Sequence, residues 1–227
     1  MTILDGKKLK DEILAKVKKE VTLLPFRPVF CDVLVGNDPV SAQYVKMKAK
    51  TAEAVGLSFH KANFPVSITT DELIKEIKIL NKVPNMCGII VQLPLPESID
   101  KRAILDSIDS QLDVDSLGTM AGRKFYEGNI NLGFPTALAC MALLDSLQLD
   151  LKEKKIVILG QGMLVGKPVS ALLRFRGFHP FDIDINTKNK EALIKQADII
   201  ISGIGKGKHI IGDMIKKGAV LIDAGTS

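Results

Sequence analysis

The sequence predicts two three-layer α/β domains in series, each built on a parallel sheet, and three observations carry that expectation. Short runs of apolar, often β-branched residues recur at 29–35, 87–92 and 155–159, without the polar alternation of a strand that has one face in water. Stretches with apolar residues at helical spacing separate such runs, and this alternation builds parallel sheets covered on both sides. Between the two groups, residues 97–121 turn polar, which sets a first domain at 1–121, a linker at 122–136 and a second domain at 137–227.

From about Asp5 to Val21, Leu9, Ile13, Leu14 and Val17 lie at helical spacing, and Pro25 and Pro28 then interrupt. Val29-Phe-Cys-Asp-Val-Leu-Val35 reads as a buried strand that stops at Gly36-Asn-Asp-Pro39. A helix opens at Ser41 and runs to about Val55, with Ala42, Val45, Ala49, Ala52 and Val55 as its inward stripe and Gly56 closing it. Residues 57–64 read as a second strand. Thr70 starts a helix with Leu73, Ile74, Ile77 and Leu80 inward, and Cys87-Gly-Ile-Ile-Val91-Gln92 is a third strand. The segment 97–121 reads as loop. Its Asp106, Asp109, Asp113 and Asp115 suit caps or water, although apolar neighbours allow one carboxylate of Asp113-Val-Asp115 to point inward. A helix over 136–147 leads to strands at 155–159, 181–185, 198–202 and 219–222.

Composition narrows the class of function. With 227 residues and 46% apolar content the chain can bury a sizeable core, and no apolar run approaches the roughly 20 residues that cross a bilayer. Met1-Thr-Ile-Leu-Asp5-Gly6 leads into Lys-rich helical sequence without a signal-peptide core, so a cytoplasmic location is expected. Cys31, Cys87 and Cys140 lie in apolar surroundings without metal-ligand spacing, which predicts buried free thiols and no metal. His60, His179 and His209 are equally dispersed. The net charge of +5 spreads over helix faces without interleaved aromatics, which argues against nucleic acid and suits the steering of an anionic small ligand.

Two constellations carry chemistry. Tyr44 and Lys48 stand four residues apart on one helical face away from the inward stripe, so a flat ligand can stack on the ring while the ammonium reaches its reacting atom. The plainer alternative is a snorkelling surface pair. The turn before this helix and the segment Gln92-Leu93-Pro94-Leu95-Pro96 both fall beyond strand carboxyl ends, where open α/β sheets bind ligands. Downstream, strand 155–159 runs into Gly160-Gln161-Gly162-Met-Leu-Val-Gly166-Lys-Pro168 and then a helix from Val169 to Arg174. Bare glycines let backbone amides approach a pyrophosphate, and the helix N-terminus adds positive potential, so this order suits a dinucleotide. A Walker loop fails, because Gln161 stands where its first glycine belongs and Pro168 replaces the metal-binding hydroxyl. Asp182 and Asp184 follow about 20 residues beyond the turn, where an acidic side chain accepts ribose hydroxyls, repels a 2′-phosphate and so favours NAD over NADP.

These pieces together make the chain similar, over nearly its whole length, to the bifunctional methylenetetrahydrofolate dehydrogenase/methenyltetrahydrofolate cyclohydrolase family. The matching motifs are Tyr44-x-x-x-Lys48, Val91-Gln92-Leu93-Pro94-Leu95-Pro96, Asp113-Val114-Asp115, Gly160 with Val165-Gly166-Lys167-Pro168, Ala197-Asp198-Ile199 and Gly218-Ala-Val-Leu-Ile-Asp223-Ala-Gly225. The resemblance implies oxidation of 5,10-methylenetetrahydrofolate with NAD or NADP, hydrolysis to 10-formyltetrahydrofolate, a cleft between the two domains and a homodimer. It implies Lys48 and Gln92 as catalytic, with Gln92 positioning Lys48. Tyr44, Asp115, Leu93 and Pro94 would hold the folate, Tyr44 by stacking and Asp115 on the pterin. Gly160, Gln161, Gly162, Leu164, Val165, Asp184 and Gly203 would hold the cofactor.

Hydride transfer needs little proton traffic, whereas hydrolysis needs a group that takes a proton from water and returns one to a ring nitrogen. A lysine with pKa about 10.4 serves only if its environment shifts it down, and Lys46 and Lys50 are candidate cationic neighbours that would leave Lys48 partly neutral beside the cationic substrate. The chain departs from the family pattern at Leu112, at Ser116-Leu117-Gly118 and at Phe134-Pro-Thr136-Ala137. Gln161-Gly162 and Asp184-Ile185 also replace an Arg-Ser and a polar or basic pair, which removes partners for a 2′-phosphate. The resemblance further implies a Pro-Gly-Gly-Val-Gly-Pro-like segment and a helix after Asp223-Ala-Gly-Thr-Ser227, whose absence removes one wall of the cleft. A monofunctional dehydrogenase and a non-catalytic dinucleotide- or folate-binding module are the alternative readings.

Overall fold

The computed structural model describes residues 3–130, 132–205 and 210–225, so His209 lies outside the described residues. The chain divides into two compact units, one Asp5–Leu132 and the other Gly133–Ser227 together with Met1–Leu4. The first unit runs α1 (Gly6–Val21), β1 (Val29–Val35), α2 (Pro39–Ala54), β2 (Ser58–Phe64), α3 (Thr70–Leu80), β3 (Met86–Val91), α4 (Lys101–Asp106) and α5 (Thr119–Tyr126). The second runs α6 (Pro135–Asp145), β4 (Ile156–Leu159), α7 (Gly166–Phe175), β5 (Phe181–Ile183), α8 (Lys190–Gln196), β6 (Ile199–Ser202), a 3₁₀ turn at Gly212–Met214, and β7 (Val220–Asp223).

Both sheets are parallel, ordered β2-β1-β3 in the first unit and β5-β4-β6-β7 in the second. In each, the chain leaves a founding strand, pairs on one side and then crosses to the other, which puts a topological switch at the carboxyl ends of β1 and β4. The founding strands are covered on both faces. Cys31 to Val35 of β1 and all four residues of β4 are buried, which is why neither run alternates. Local signals agree with this packing. Thr69 and Glu72 form a reciprocal capping box at the start of α3, which then buries Leu73, Ile77 and Leu80.

Three expectations need correction. The expected loop at 97–121 and linker at 122–136 contain α4, α5 and the first residues of α6. Asp100 caps α4 by accepting from the backbone N–H groups of Arg102 and Ala103, and Ile104, Leu105 and Phe125 go into the core. Helices this short carry too few apolar residues to show a period. The strand expected over 181–185 ends at Ile183, because Asp184 turns the chain by accepting from Asn186 N–H and the Thr187 hydroxyl. Cys31 and Cys140 are buried thiols, but Cys87 is exposed. It is the extra residue where the β1–β3 register steps from Val29↔Met86 to Phe30↔Gly88, and a bulge turns such a residue out of the ladder.

Candidate functional site

In the first unit, α2 is fixed at its N-terminus by the Asp38 carboxylate, which accepts from Ser41 N–H at 2.7 Å, with Pro39 in the first turn. Ser41, Val45 and Ala52 are buried, and Lys48 lies on this same stripe, with Tyr44 at its edge, rather than on the neighbouring free face. The physical reason is a partner in the sheet. The Lys48 ammonium donates to Asp32 Oδ2 of β1 at 2.9 Å and to Gln92 Oε1 at 2.9 Å, so the surface-snorkelling alternative does not describe it. Tyr44, one turn earlier, is 51% exposed and offers a free ring face.

Gln92 is held by extending the sheet one residue past β3, through Gln92 N–H donating to Val33 O at 2.9 Å. Leu93, half-buried, and Pro94, exposed, follow it across a cis peptide bond. Asp115 arrives from further along the chain. Ile89 N–H donates to Leu112 O at 2.8 Å and Ile89 pairs with Asp113 in a single parallel bridge, which lays residues 112–115 along β3. Asp113 then has a structural task, since it is buried and its Oδ2 accepts from Gly118 N–H at 2.7 Å beneath a turn in which Ser116 has φ +54°.

The electrostatics are those of carboxylates drawn out of water around one amine. Burial pushes the Asp115 carboxyl up to about 6; Lys48 pulls against this, while Asp113 and Asp32 add to it. Burial also raises Asp32, against the opposing hydrogen bond and charge of Lys48. The neighbours expected to depress Lys48 are not there. Lys46 and Lys50 are exposed, because residues two positions either side on a helix point away, and the groups that meet the ammonium are the Asp32 carboxylate and the neutral Gln92 amide oxygen.

Asp32 is the site residue that sequence reasoning passed over. It is fully buried, and its Oδ1 has no partner among the described residues. The signal was present as the one charged residue in an otherwise apolar central strand, where an aspartate is almost never fully buried without a partner.

In the second unit, β4 delivers Gly160 in a left-handed conformation with φ +83°, and α7 begins six residues later. A side chain at Gly166 would collide with the Gly160 carbonyl, so a glycine there is what lets the first turn of α7 close over the loop. Gly203, at the end of β6, is likewise packed against Val165, whereas Gly162 faces open space. Beside the loop lies a cavity of about 690 Å³, lined among others by Gly160, Gln161, Lys167, Asp184, Ile185 and Ile204, a size that suits a nucleotide. Leu164 is exposed and Val165 buried. Gln161 Nε2 is buried without a hydrogen-bond acceptor among the described residues, a donor left for a ligand.

The two aspartates at the end of β5, Asp182 within the strand and Asp184 just past it, separate in role. Asp182 is engaged by Arg174 at 2.7 Å, whereas Asp184 lines the cavity, exposed, its carboxyl held below the usual range by the Thr187 hydroxyl and the Asn186 N–H.

Comparison with known proteins matches this division of labour. Residues 4–115 fit the tetrahydrofolate dehydrogenase/cyclohydrolase catalytic domain, and residues 135–227 fit the NAD(P)-binding domain of the same family. The bifunctional protein FolD of Nautilia profundicola is 41% identical over 99% of this chain and 80% of its own length. Among solved structures, the bifunctional FolD of Campylobacter jejuni superposes with a TM-score of 0.91 at 35% identity, covering 97% of this chain and 80% of that one. The FolD of Trypanosoma brucei, complexed with NADP cofactor and inhibitor, gives 0.91 at 31% identity over 100% and 79%. With both domain profiles matched in order and a relative above two-fifths identity, the chain belongs to the tetrahydrofolate dehydrogenase/cyclohydrolase family.

Proposed function

We propose that this protein oxidises 5,10-methylenetetrahydrofolate to the 5,10-methenyl form with a nicotinamide cofactor, and hydrolyses that product to 10-formyltetrahydrofolate. The observation that carries the reading is the Lys48 ammonium, held 2.9 Å from Gln92 at the carboxyl edge of β1 and β3, in the unit that matches the family's catalytic domain. Tyr44 supplies a ring for the folate to stack on, and the Asp115 carboxylate accepts hydrogen bonds from a pterin. Leu93 and Pro94 line the same edge. A bound nicotinamide would supply the acceptor for a hydride from the methylene carbon. The chain's part in that step is to bind and orient the folate and the dinucleotide, which takes no proton from the protein. In hydrolysis Lys48 takes the proton of the attacking water and returns one to the departing ring nitrogen, while Gln92 keeps the amine aimed.

The glycine loop and the buried Gln161 amide favour a dinucleotide in the second unit, and Asp184 favours NAD. A carboxylate at the end of β5 accepts the ribose hydroxyls and repels a 2′-phosphate; Lys167 and Lys190 line the same cavity and are left for the pyrophosphate. A cytoplasmic homodimer completes the proposal. Among the described residues no helix is long and apolar enough to cross a membrane.

Initial rates of methylenetetrahydrofolate oxidation with NAD and with NADP at equal concentration test the first step and the cofactor choice. Methenyl hydrolysis followed alone tests the second. Faster turnover with NAD is expected, and strong preference for NADP would reverse the role of Asp184. A dehydrogenase with little hydrolysis is the second reading, and the Asp32–Lys48 ion pair favours it.

A further inference from the structure

Lys48 is asked to act as a base, yet it sits against a carboxylate that has no other partner among the described residues. Asp32 is fully buried on the central strand, its Oδ2 accepts from Lys48 at 2.9 Å, and its Oδ1 has no partner among the described residues. Removing the proton from Lys48 strips a buried anion of its only counter-charge among the described residues, an arrangement far less favourable than the intact pair. We infer that Asp32 is a positioning residue that keeps Lys48 as an ammonium ion, so that methenyl hydrolysis waits on loss of that proton and gains on hydride transfer as the solution becomes alkaline. This rests on the folate reading above and deepens it.

The other groups around the amine do not oppose Asp32. From the loop beside β3, Asp115 feels Lys48 directly, and Asp113 stands behind Asp115. From the end of β3 comes Gln92, which is neutral and accepts rather than donates. On β1, burial and the neighbouring Asp32 push the Cys31 thiol up to about 12, so it carries no charge near neutrality. On α2 itself, Tyr44, Lys46 and Lys50 are exposed. The proton balance is simple. Lys48 gives its proton to solvent, the free amine takes one from water as the carbon–oxygen bond forms, and the ring nitrogen receives it as the carbon–nitrogen bond breaks, while the second water proton leaves to solvent as the carbonyl forms.

The experiment is the pH profile of methenyl hydrolysis, corrected for the uncatalysed rate, for the natural protein and for Asp32→Asn. In the natural protein the enzymatic rate is expected to climb through about pH 9 without levelling at neutrality, since taking the proton from the amine leaves the buried Asp32 carboxylate uncompensated. Asp32→Asn keeps the shape and an acceptor oxygen but removes the charge. Its acid limb is expected to move down by about 1–3 units, with roughly a tenfold gain in the free amine near pH 7 per unit. A change in plateau height reports altered aim of the amine, whereas only a change in its protonation moves the limb.

An unmoved or upward-shifted limb overturns the inference. So does a natural protein whose rate levels off by neutral pH, which would mean that the proton passes inward to Asp32; this reading needs no variant and holds even if Asp32→Asn does not fold. Methylenetetrahydrofolate oxidation in the same samples separates the two ideas. Oxidation present with hydrolysis absent at every pH, in both proteins, sinks the role of Asp32 alone, while neither reaction at any pH removes the folate reading and this inference with it.

Discussion

At the scale of single residues, the first unit is organised by one amine and the acids around it. Lys48→Met keeps the length and apolar stem of the side chain while deleting the ammonium. Hydrolysis of the methenyl group is expected to fall by roughly 10²–10⁴-fold, with folate binding still measurable by equilibrium titration. Asp115 gives a second expectation. Its carboxyl is lifted to about 6 by burial, so it is ionised above that pH and protonated below it. A carboxylate accepts hydrogen bonds on both oxygens, whereas the acid form turns one of them into a donor. The KM for methylenetetrahydrofolate is therefore expected to rise as pH drops through about 6, and Asp115→Asn to abolish that dependence. None of this was legible from Asp113-Val-Asp115 alone. The two carboxylates look alike in sequence, and only the hydrogen bond from Gly118 and the bridge to Ile89 show that Asp113 closes a turn, while Asp115 feels the charge of Lys48.

At the scale of elements, the strand–loop–helix unit of β4 and α7 shows how close backbone approach is specified. Gly160 takes a φ of +83° that other residues rarely adopt, and Gly166 lies where any Cβ would meet the Gly160 carbonyl. Replacing Gly166 with Ala is expected to push α7 off the loop and to cost at least about 1–3 kcal/mol, as overpacking does. Calorimetry of NAD binding together with a thermal melt checks this: both the affinity and the melting temperature should fall. Retained affinity would mean that the loop tolerates the extra methyl.

The spacing of these glycines was visible in the sequence because steric demands of this kind select one residue type. The turn at Asp184 was not. The apolar Ile185 continued the strand pattern on paper, yet side-chain hydrogen bonds at Asp184 end β5 at Ile183 and leave Ile185 91% exposed beside the cavity. The helices α4, α5 and α8 were missed for a related reason, since six to eight residues give at most two turns of periodicity.

At the scale of the whole molecule, the burial of acids gives stability an unusual pH dependence. The Asp115 carboxyl has a folded value near 6 against an ordinary 3.8, so between these the native state binds the extra proton and stability falls as pH rises through that window. Asp38, Glu72, Asp184 and Asp198 are shifted the other way, by hydrogen bonds to backbone and side chains, and their contribution is lost only as the pH drops below about 4. The urea midpoint of the natural protein is accordingly expected to be lower at pH 7 than at pH 5. Asp115→Asn should be the more stable of the two above pH 6, by a margin that vanishes near pH 4. A margin that stays constant with pH would show that Asp115 is not strained by burial.

What the sequence determined by itself was whatever is encoded locally: the buried central strands from their unbroken apolar runs, the helix faces from their period, and the glycine loop from its steric demand. What only the tertiary structure decided was which distant groups meet. Asp32, Gln92 and Asp115 are separated by tens of residues along the chain, and only sheet pairing sets them around Lys48. A charge has no periodicity to reveal its partner; its state depends on the few ångströms of surroundings that folding assembles.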